Sequence, residues 1–128
     1  MDFKLELIPV PVADIDRAKQ FYCEQAGFRL DHDARPSPTV RVVQLTPPGS
    51  ACSIVLSAGL PGVVMPAGSL RGLHLVVADI AQARAELAGR GVQVGDIQGL
   101  EGGMKYAGFR DPDGNTWTLQ EIAGNAGK

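Results

Sequence analysis

A repeated segment constrains the fold of this 128-residue chain more than any other feature of its sequence. The segment PVADIDRAKQFY near the start resembles VVADIAQARAEL in the second half, with five matching positions at a constant offset of 65 residues. The turns TPPGS and DPDGN keep that offset, since Pro47 falls on Pro112 and Gly49 on Gly114. A constant offset over separate segments indicates two tandem copies of one structural unit.

Each copy reads as a strand, a helix and three further strands. The strand before each helix alternates with period two, so one face packs beneath the helix and the other is free to line a cavity. Asp14 and Asp79 are placed to cap the helices, and Gly27 and Gly91 are placed to end them. The pattern therefore predicts two β-α-β-β-β modules.

The predicted boundaries divide one domain, residues 1–128, into two repeats. The first repeat covers about 5–56, the second about 70–122, and a linker covers 57–69. Glycine, proline and polar clusters predict three loops, and the last residues are expected to fray. These loops are residues 31–39, 57–72 and 98–105, and the tail is 123–128.

Charge and hydropathy narrow the function classes. Twelve Lys and Arg oppose fourteen Asp and Glu, and the net charge of −2 is scattered, which disfavours nucleic-acid binding driven by phosphate neutralisation. No apolar run is long enough to cross a bilayer, and the start lacks the pattern of a signal peptide, so we expect a cytoplasmic protein without membrane contact. Cys23 and Cys52 are expected to be reduced thiols.

The repeated unit, the segment VADIDRAKQFY after the first strand and the DPDGN turn near the C-terminus resemble the vicinal oxygen chelate superfamily. Its members include glyoxalase I, extradiol dioxygenases and bleomycin resistance proteins. The resemblance implies an α+β fold in which two tandem β-α-β-β-β modules form an eight-stranded, cupped mixed sheet with the helices on its outer face. It also implies a ligand cavity inside the cup and a homodimer.

The metal-ligand positions of catalytic members can be carried over one by one. Five residues before the valine of the VxD motif stand Leu7 and Gly72, and seven after the first aspartate of DPDG stands Thr118, with Ser53 as its repeat partner. None is an ordinary ligand for a divalent metal, so we expect no cofactor. His74 shares the strand face of Gly72 and could approach the site, but one imidazole is not a metal site.

Strand alternation predicts which side chains face the cup. Glu6 and Glu121 fall out of phase with it and are expected to point away. Asp31, His32 and Asp33 are interpreted as solvated loop residues. The predicted ligand contacts are Leu7, Pro9, Ser53, Val55, His74, Val76, Thr118 and Gln120, with Arg41 and Tyr106 at the rim.

We therefore expect a protein that binds a small organic molecule in its cupped sheet without the usual divalent metal. A second hypothesis is a glyoxalase-like lyase, isomerase or dioxygenase, with a rearranged metal site or with His74 as an acid–base catalyst. A third is a dimeric interaction module whose cup is filled by its own side chains. The sequence leaves these alternatives open.

Overall fold

The computed structural model describes residues 1–60, 62 and 64–122. The frayed tail predicted at 123–128, and Pro61 and Val63 of the predicted linker, lie outside the described residues. The first module contains β1 (Leu7–Pro9), α1 (Ile15–Gln20), which continues as a π-helical turn (Phe21–Gln25), β2 (Arg29–Ser37), β3 (Val40–Thr46) and β4 (Ser53–Ala58). The second contains β5 (Leu73–Val76), α2 (Ile80–Gly89), β6 (Gln98–Gly99), a 3₁₀ turn (Glu101–Gly103), β7 (Lys105–Arg110) and β8 (Thr116–Glu121).

The strands form two four-stranded sheets with the same internal order. The first sheet runs β1-β4-β3-β2 and the second β5-β8-β7-β6. In each sheet the strand before the helix is parallel to the last strand, and the other pairs are antiparallel. The α+β fold of two mixed-sheet modules is confirmed. Among the described residues, no helix is long and apolar enough to cross a membrane.

Both helices begin where the sequence places their caps. The Asp14 carboxylate accepts a hydrogen bond from the Arg17 backbone N–H at 3.1 Å, and Asp79 accepts one from that of Gln82 at 3.0 Å. Each bond satisfies a backbone donor that the helix itself leaves unpaired. The repeated VADI segment therefore fixes the start of both helices.

One continuous core joins the two modules. Leu45 and Leu56 from the first sheet, Trp117 and Leu119 from the second, and Tyr22 from the helical segment after α1 belong to one cluster of buried side chains. The helix-bearing faces of both sheets thus share a core, and by strand alternation their other faces point away from it. Those other faces are the ones that the sequence assigns to ligand binding.

A buried hydrogen-bond network ties the first helical segment to the turn of the second module. The Tyr22 hydroxyl donates to Asp111 Oδ2 at 2.7 Å and accepts from Trp117 Nε1 at 2.9 Å. The Asn115 amide nitrogen donates to the same Asp111 oxygen at 2.8 Å. Burial, reinforced by the neighbouring Asp111 charge, raises the pKa of Tyr22, which keeps its proton for this bond. The DPDG turn therefore has a structural role, because its first aspartate accepts both of these buried hydrogen bonds.

The prediction of a loop at residues 31–39 is wrong, because β2 occupies most of this segment. This polar segment is held as a strand by pairing with β3 and by Asp33, which accepts hydrogen bonds from Lys19 at 2.9 Å and Arg41 at 2.8 Å. The other two predicted loops are shorter than expected. Strand β4 continues to Ala58, and β6 occupies the start of segment 98–105.

Candidate functional site

The outward face of the second sheet brings together five of the predicted ligand contacts. His74 is paired in register with Thr118, and Val76 with Gln120, across β5 and β8. Tyr106 on β7 lies opposite Gln120 on its other side. Residues paired in register lie on one face of a sheet, so these side chains form a continuous surface. His74 is exposed and the Val76 side chain keeps 46% of its surface accessible.

A side-chain pair organises the polar part of this face. His74 Nδ1 lies 2.8 Å from Gln120 Oε1, and an amide oxygen accepts, so Nδ1 carries the proton. In the neutral ring, Nε2 is then an acceptor for a ligand, and the Gln120 amide nitrogen remains a donor. The His74 ring stands edge-on to Tyr106, with the ring centroids 6.1 Å apart. The face therefore offers an acceptor, a donor and aromatic surface side by side.

Two clefts reach the borders of this face, but most of their lining lies on the helix-bearing side of the sheet. One of about 550 Å³ lies between α2, β5 and residues 26–28 and 47–50 of the first module, and it includes His74 and Val76. The other, of about 810 Å³, is lined largely by core residues such as Phe109 and Trp117 and reaches Tyr106 and Thr118. Both volumes fall in the range of sites that hold small organic molecules, about 300 to 1,000 Å³.

The corresponding face of the first sheet is largely covered by its own side chains. The Thr46 hydroxyl donates to Asp31 and lies 2.6 Å from the Ser53 hydroxyl, and the Gln44 amide also reaches Asp31 at 3.5 Å. The hydrogen bond from Thr46 is the main reason that the pKa of Asp31 is lowered. Ser53 and Val55, two predicted contacts, are only 4% and 3% exposed here.

Sequence reasoning missed the polar network of the first sheet. Gln44 and Thr46 could have been found, because they alternate with the core residues Val43 and Leu45. Asp31 could not, because a bulge between Leu30 and His32 turns it onto this face. Leu7 and Pro9 lie on the same face, since they pair in register with Ser53 and Val55.

Arg41, predicted at the rim of the cup, lies instead on the opposite face. Its guanidinium bonds Asp33 and also pairs with Asp16 of α1 at 2.8 Å. Arg41 follows the alternation of β3 that also sends Val43 and Leu45 into the core. It holds β2 and β3 against the helix and is not part of the candidate site.

In the second module, strand pairing places a different residue from the predicted one at the strand position expected for a metal ligand. Leu7 pairs with Ser53, but the residue paired with Thr118 is His74, not the Gly72 selected by counting. The reason is that four residues separate His74 from the helix cap Asp79, whereas six separate Leu7 from Asp14. The His74 imidazole and the hydroxyls of Ser53 and Thr118 do not fit the donor set that a divalent metal requires.

Nearby carboxylates do not complete that set. Glu121 Oε1 accepts from the Ile80 backbone N–H at 2.9 Å, so this side chain is turned towards α2, as alternation predicts. No group of three or more His, Cys, Asp and Glu side chains within the described part of the chain could hold a metal ion.

Comparison with known proteins adds independent findings. A family model described as the Glyoxalase/Bleomycin resistance protein/Dioxygenase superfamily matches residues 4–119. TnmS3, an antibiotic binding protein from Streptomyces sp. CB03234, is 38% identical, with a TM-score of 0.80 over 95% of this chain and 98% of that one. A glyoxalase/bleomycin resistance protein from the same Streptomyces is 41% identical, with a TM-score of 0.77 over 92% and 100%. The uncharacterized protein YetH of Bacillus subtilis (strain 168) is 27% identical, over 89% of this chain and 94% of YetH.

Proposed function

Because the chain belongs to the glyoxalase/bleomycin resistance protein/dioxygenase superfamily, we propose that it binds a small organic molecule on the outward face of its second sheet. The observation that carries this proposal is the His74–Gln120 pair, held in register beside Tyr106 and the exposed Val76. Few polar groups fixed within an apolar and aromatic surface are typical of small-molecule sites.

The chemistry of this face indicates the kind of ligand. Tyr106 and Val76 favour an apolar or aromatic body, while His74 and Gln120 favour a ligand with both a hydrogen-bond donor and an acceptor. Similarity to TnmS3, an antibiotic binding protein, supports an antibiotic as that ligand. We propose binding without a divalent metal, because the donor set at the expected positions does not fit one.

We also propose that the protein is a homodimer. The candidate face is open in a single chain, and Val76 remains exposed on it. A second copy that covers this face would remove apolar surface from water and enclose the ligand. Sedimentation velocity tests this proposal directly. The cytoplasmic location stays a prediction from the sequence.

Titration with antibiotics tests the binding proposal. The probes are polycyclic aromatic antibiotics and macrolides, because the two groups separate aromatic contact from simple apolar burial. We expect His74→Ala and Gln120→Ala to weaken binding about tenfold, which corresponds to the loss of one useful hydrogen bond. Gln82→Ala is the matched control, since Gln82 is exposed on α2. Equal effects of Gln120→Ala and Gln82→Ala would contradict the proposed site.

The enzymatic alternative uses the same face but predicts a product. Each antibiotic that binds is incubated with the protein, and its mass and chromatographic retention time are measured, because an isomer keeps the mass of its precursor. A bound antibiotic recovered with both unchanged supports binding alone. A change in mass or retention time that His74→Gln abolishes, while the variant still binds, would replace the binding proposal with acid–base catalysis by His74.

A further inference from the structure

A gap in the side chains divides the outward face of the second sheet. Along β7, Tyr106, Gly108 and Arg110 point away from the core, because the two residues between them are buried. Gly108 pairs in register with Thr118, in the middle of the candidate site. Because glycine has no side chain, the backbone of β7 is open to a ligand between Tyr106 and Arg110.

The fold itself does not require a glycine at position 108. Its backbone is not in the left-handed region that favours glycine. Within the described residues and apart from its chain neighbours, a Cβ at Gly108 would have one heavy atom closer than 4 Å, the Trp117 carbonyl oxygen at 3.6 Å, which is an ordinary contact. Glycine weakens the interior of a strand and often marks a place where a ligand approaches the backbone closely. The gap is therefore better explained by binding than by packing.

The shape of the gap favours a flat ligand. Four residues of strand advance about 13 Å, so the backbone positions of Tyr106 and Arg110 lie about 13 Å apart. Thr118 borders the gap on β8, because side chains paired in register lie side by side. An aromatic ring can lie directly on the β7 backbone, whereas a globular body meets Tyr106 and Thr118 before it reaches that backbone.

A cation stands at one end of the gap. Arg110 is exposed, and no carboxylate in the described part of the chain lies within salt-bridge distance of its guanidinium. Two aspartates line the same cleft as Arg110, but Asp96 pairs with Arg84 at 3.6 Å and Asp111 accepts from Tyr22 at 2.7 Å. The charge of Arg110 is therefore available to a ligand.

A hydroxyl group adds a second donor beside this cation. Thr116 is paired in register with Arg110, so the two side chains are neighbours on the outward face. The Thr116 hydroxyl accepts a hydrogen bond from the Gly72 N–H at 2.8 Å, which leaves its own proton to donate. A guanidinium next to a hydroxyl donor favours an acidic group such as a carboxylate.

We propose that the ligand is a planar aromatic acid, whose ring lies over Gly108 and whose acidic group binds Arg110 and Thr116. This inference rests on the proposed function and narrows its ligand class. Gly108 selects for flatness and Arg110 for negative charge, while the His74–Gln120 pair contacts the side of the ligand away from Arg110.

Three small probes separate flatness from charge. They are 2-naphthoate, which is planar and anionic, 2-naphthamide, which is planar and neutral, and 1-adamantanecarboxylate, which is anionic and globular with the same number of carbon atoms as 2-naphthoate. We expect calorimetric titration to show 2-naphthoate binding about tenfold more tightly than either of the others, since a hydrogen bond to a charged group contributes this much or more. Equal affinity for 2-naphthoate and either other probe would overturn the proposal.

Filling the gap tests the role of Gly108. Gly108→Ala is expected to weaken binding of 2-naphthoate about tenfold and to leave the melting temperature unchanged or higher, because alanine costs less backbone entropy in a strand. Gly99→Ala is the matched control, since Gly99 pairs with Lys105 on β6 and lies on the other face of the sheet. Unchanged binding, or a melting temperature lowered by Gly108→Ala, would overturn the proposal.

Neutralising the cation tests the role of Arg110. Arg110→Gln is expected to abolish the preference for 2-naphthoate over 2-naphthamide, and Arg110→Lys to keep most of it. Arg35→Gln is the control, because Arg35 is exposed on β2 of the first sheet. A preference that persists in Arg110→Gln would show that another group binds the acid and would overturn the assignment.

The probes and the antibiotics give independent results. Antibiotics that bind through Gln120, together with no binding of 2-naphthoate, would overturn the planar acid and leave the proposed function intact. Binding of 2-naphthoate that depends on Gly108 and Arg110, together with no binding of any antibiotic, would support the planar acid and remove antibiotics as the ligand.

Discussion

Loss of the Tyr22 hydroxyl should be the most costly single-atom change in this chain's buried polar network. Tyr22→Phe removes the hydrogen bond to Asp111 and leaves the Trp117 N–H without its acceptor, and all three residues are at least 97% buried. A hydrogen bond to a charged group contributes about 1.5–3 kcal/mol, and an unpaired buried donor costs about 1–3 kcal/mol. Because Asn115 still bonds Asp111, we take the lower part of the combined range, about 3 kcal/mol.

Urea unfolding at one fixed protein concentration measures this cost, since association of two copies would add to the apparent stability. The control is Tyr106→Phe, in which the lost hydroxyl belongs to a half-buried residue and donates to the Met104 sulfur at 3.6 Å. This control should cost less than about 0.5 kcal/mol, because sulfur is a weak acceptor. A loss below about 1 kcal/mol for Tyr22→Phe, or one equal to the control, would refute the reasoning.

Two further predictions concern charge and backbone. Hydrogen bonds hold the pKa of Asp33 below its usual range, and the bond from Arg41 contributes most. The stabilisation that they provide is therefore present above the unfolded pKa of about 3.9 and is lost as the pH falls through the lower folded pKa. Asp33→Asn should therefore lower the melting temperature at pH 7 and reduce its fall towards pH 2, and a fall as steep as in the wild type would contradict this. Gly68→Ala should cost more in urea unfolding than Gly49→Ala, because both have positive φ but a methyl group at Gly68 would overlap the Asp113 carbonyl oxygen. Equal costs would show that the backbone moves aside.

The repeat predicts the fold well because local and global signals agree. Asp14 and Asp79 cap helices in both copies, and the alternation of β5 and β8 places His74, Val76 and Gln120 on one face as expected. Strand alternation is a geometric property of the backbone, so the face of each side chain can be predicted without knowing what that side chain binds.

The errors arise where tertiary contacts override the local pattern. Residues 31–39 look like a polar loop, but pairing with β3 and the ion pairs of Asp33 keep them in β2. Arg41 is an error of a different kind, because it has the same parity on β3 as the core residues Val43 and Leu45, so alternation already assigns it to the helix-bearing face, where it pairs with Asp16. A bulge such as the one at Asp31 has no reliable sequence signal, since its position depends on the register with the partner strand.

The difference in length between the two strand-to-helix connections has a consequence for insertions and deletions. Two residues of strand advance about 6.6 Å, one full pleat repeat, so a change of two replaces the residue opposite Thr118 without turning the strand over. A change of one would present Leu73 or Leu75 to the ligand and send His74 towards the core. Between β5 and α2, an insertion or deletion of an even number of residues therefore replaces one ligand-facing side chain by another and leaves the packed face of the strand unchanged.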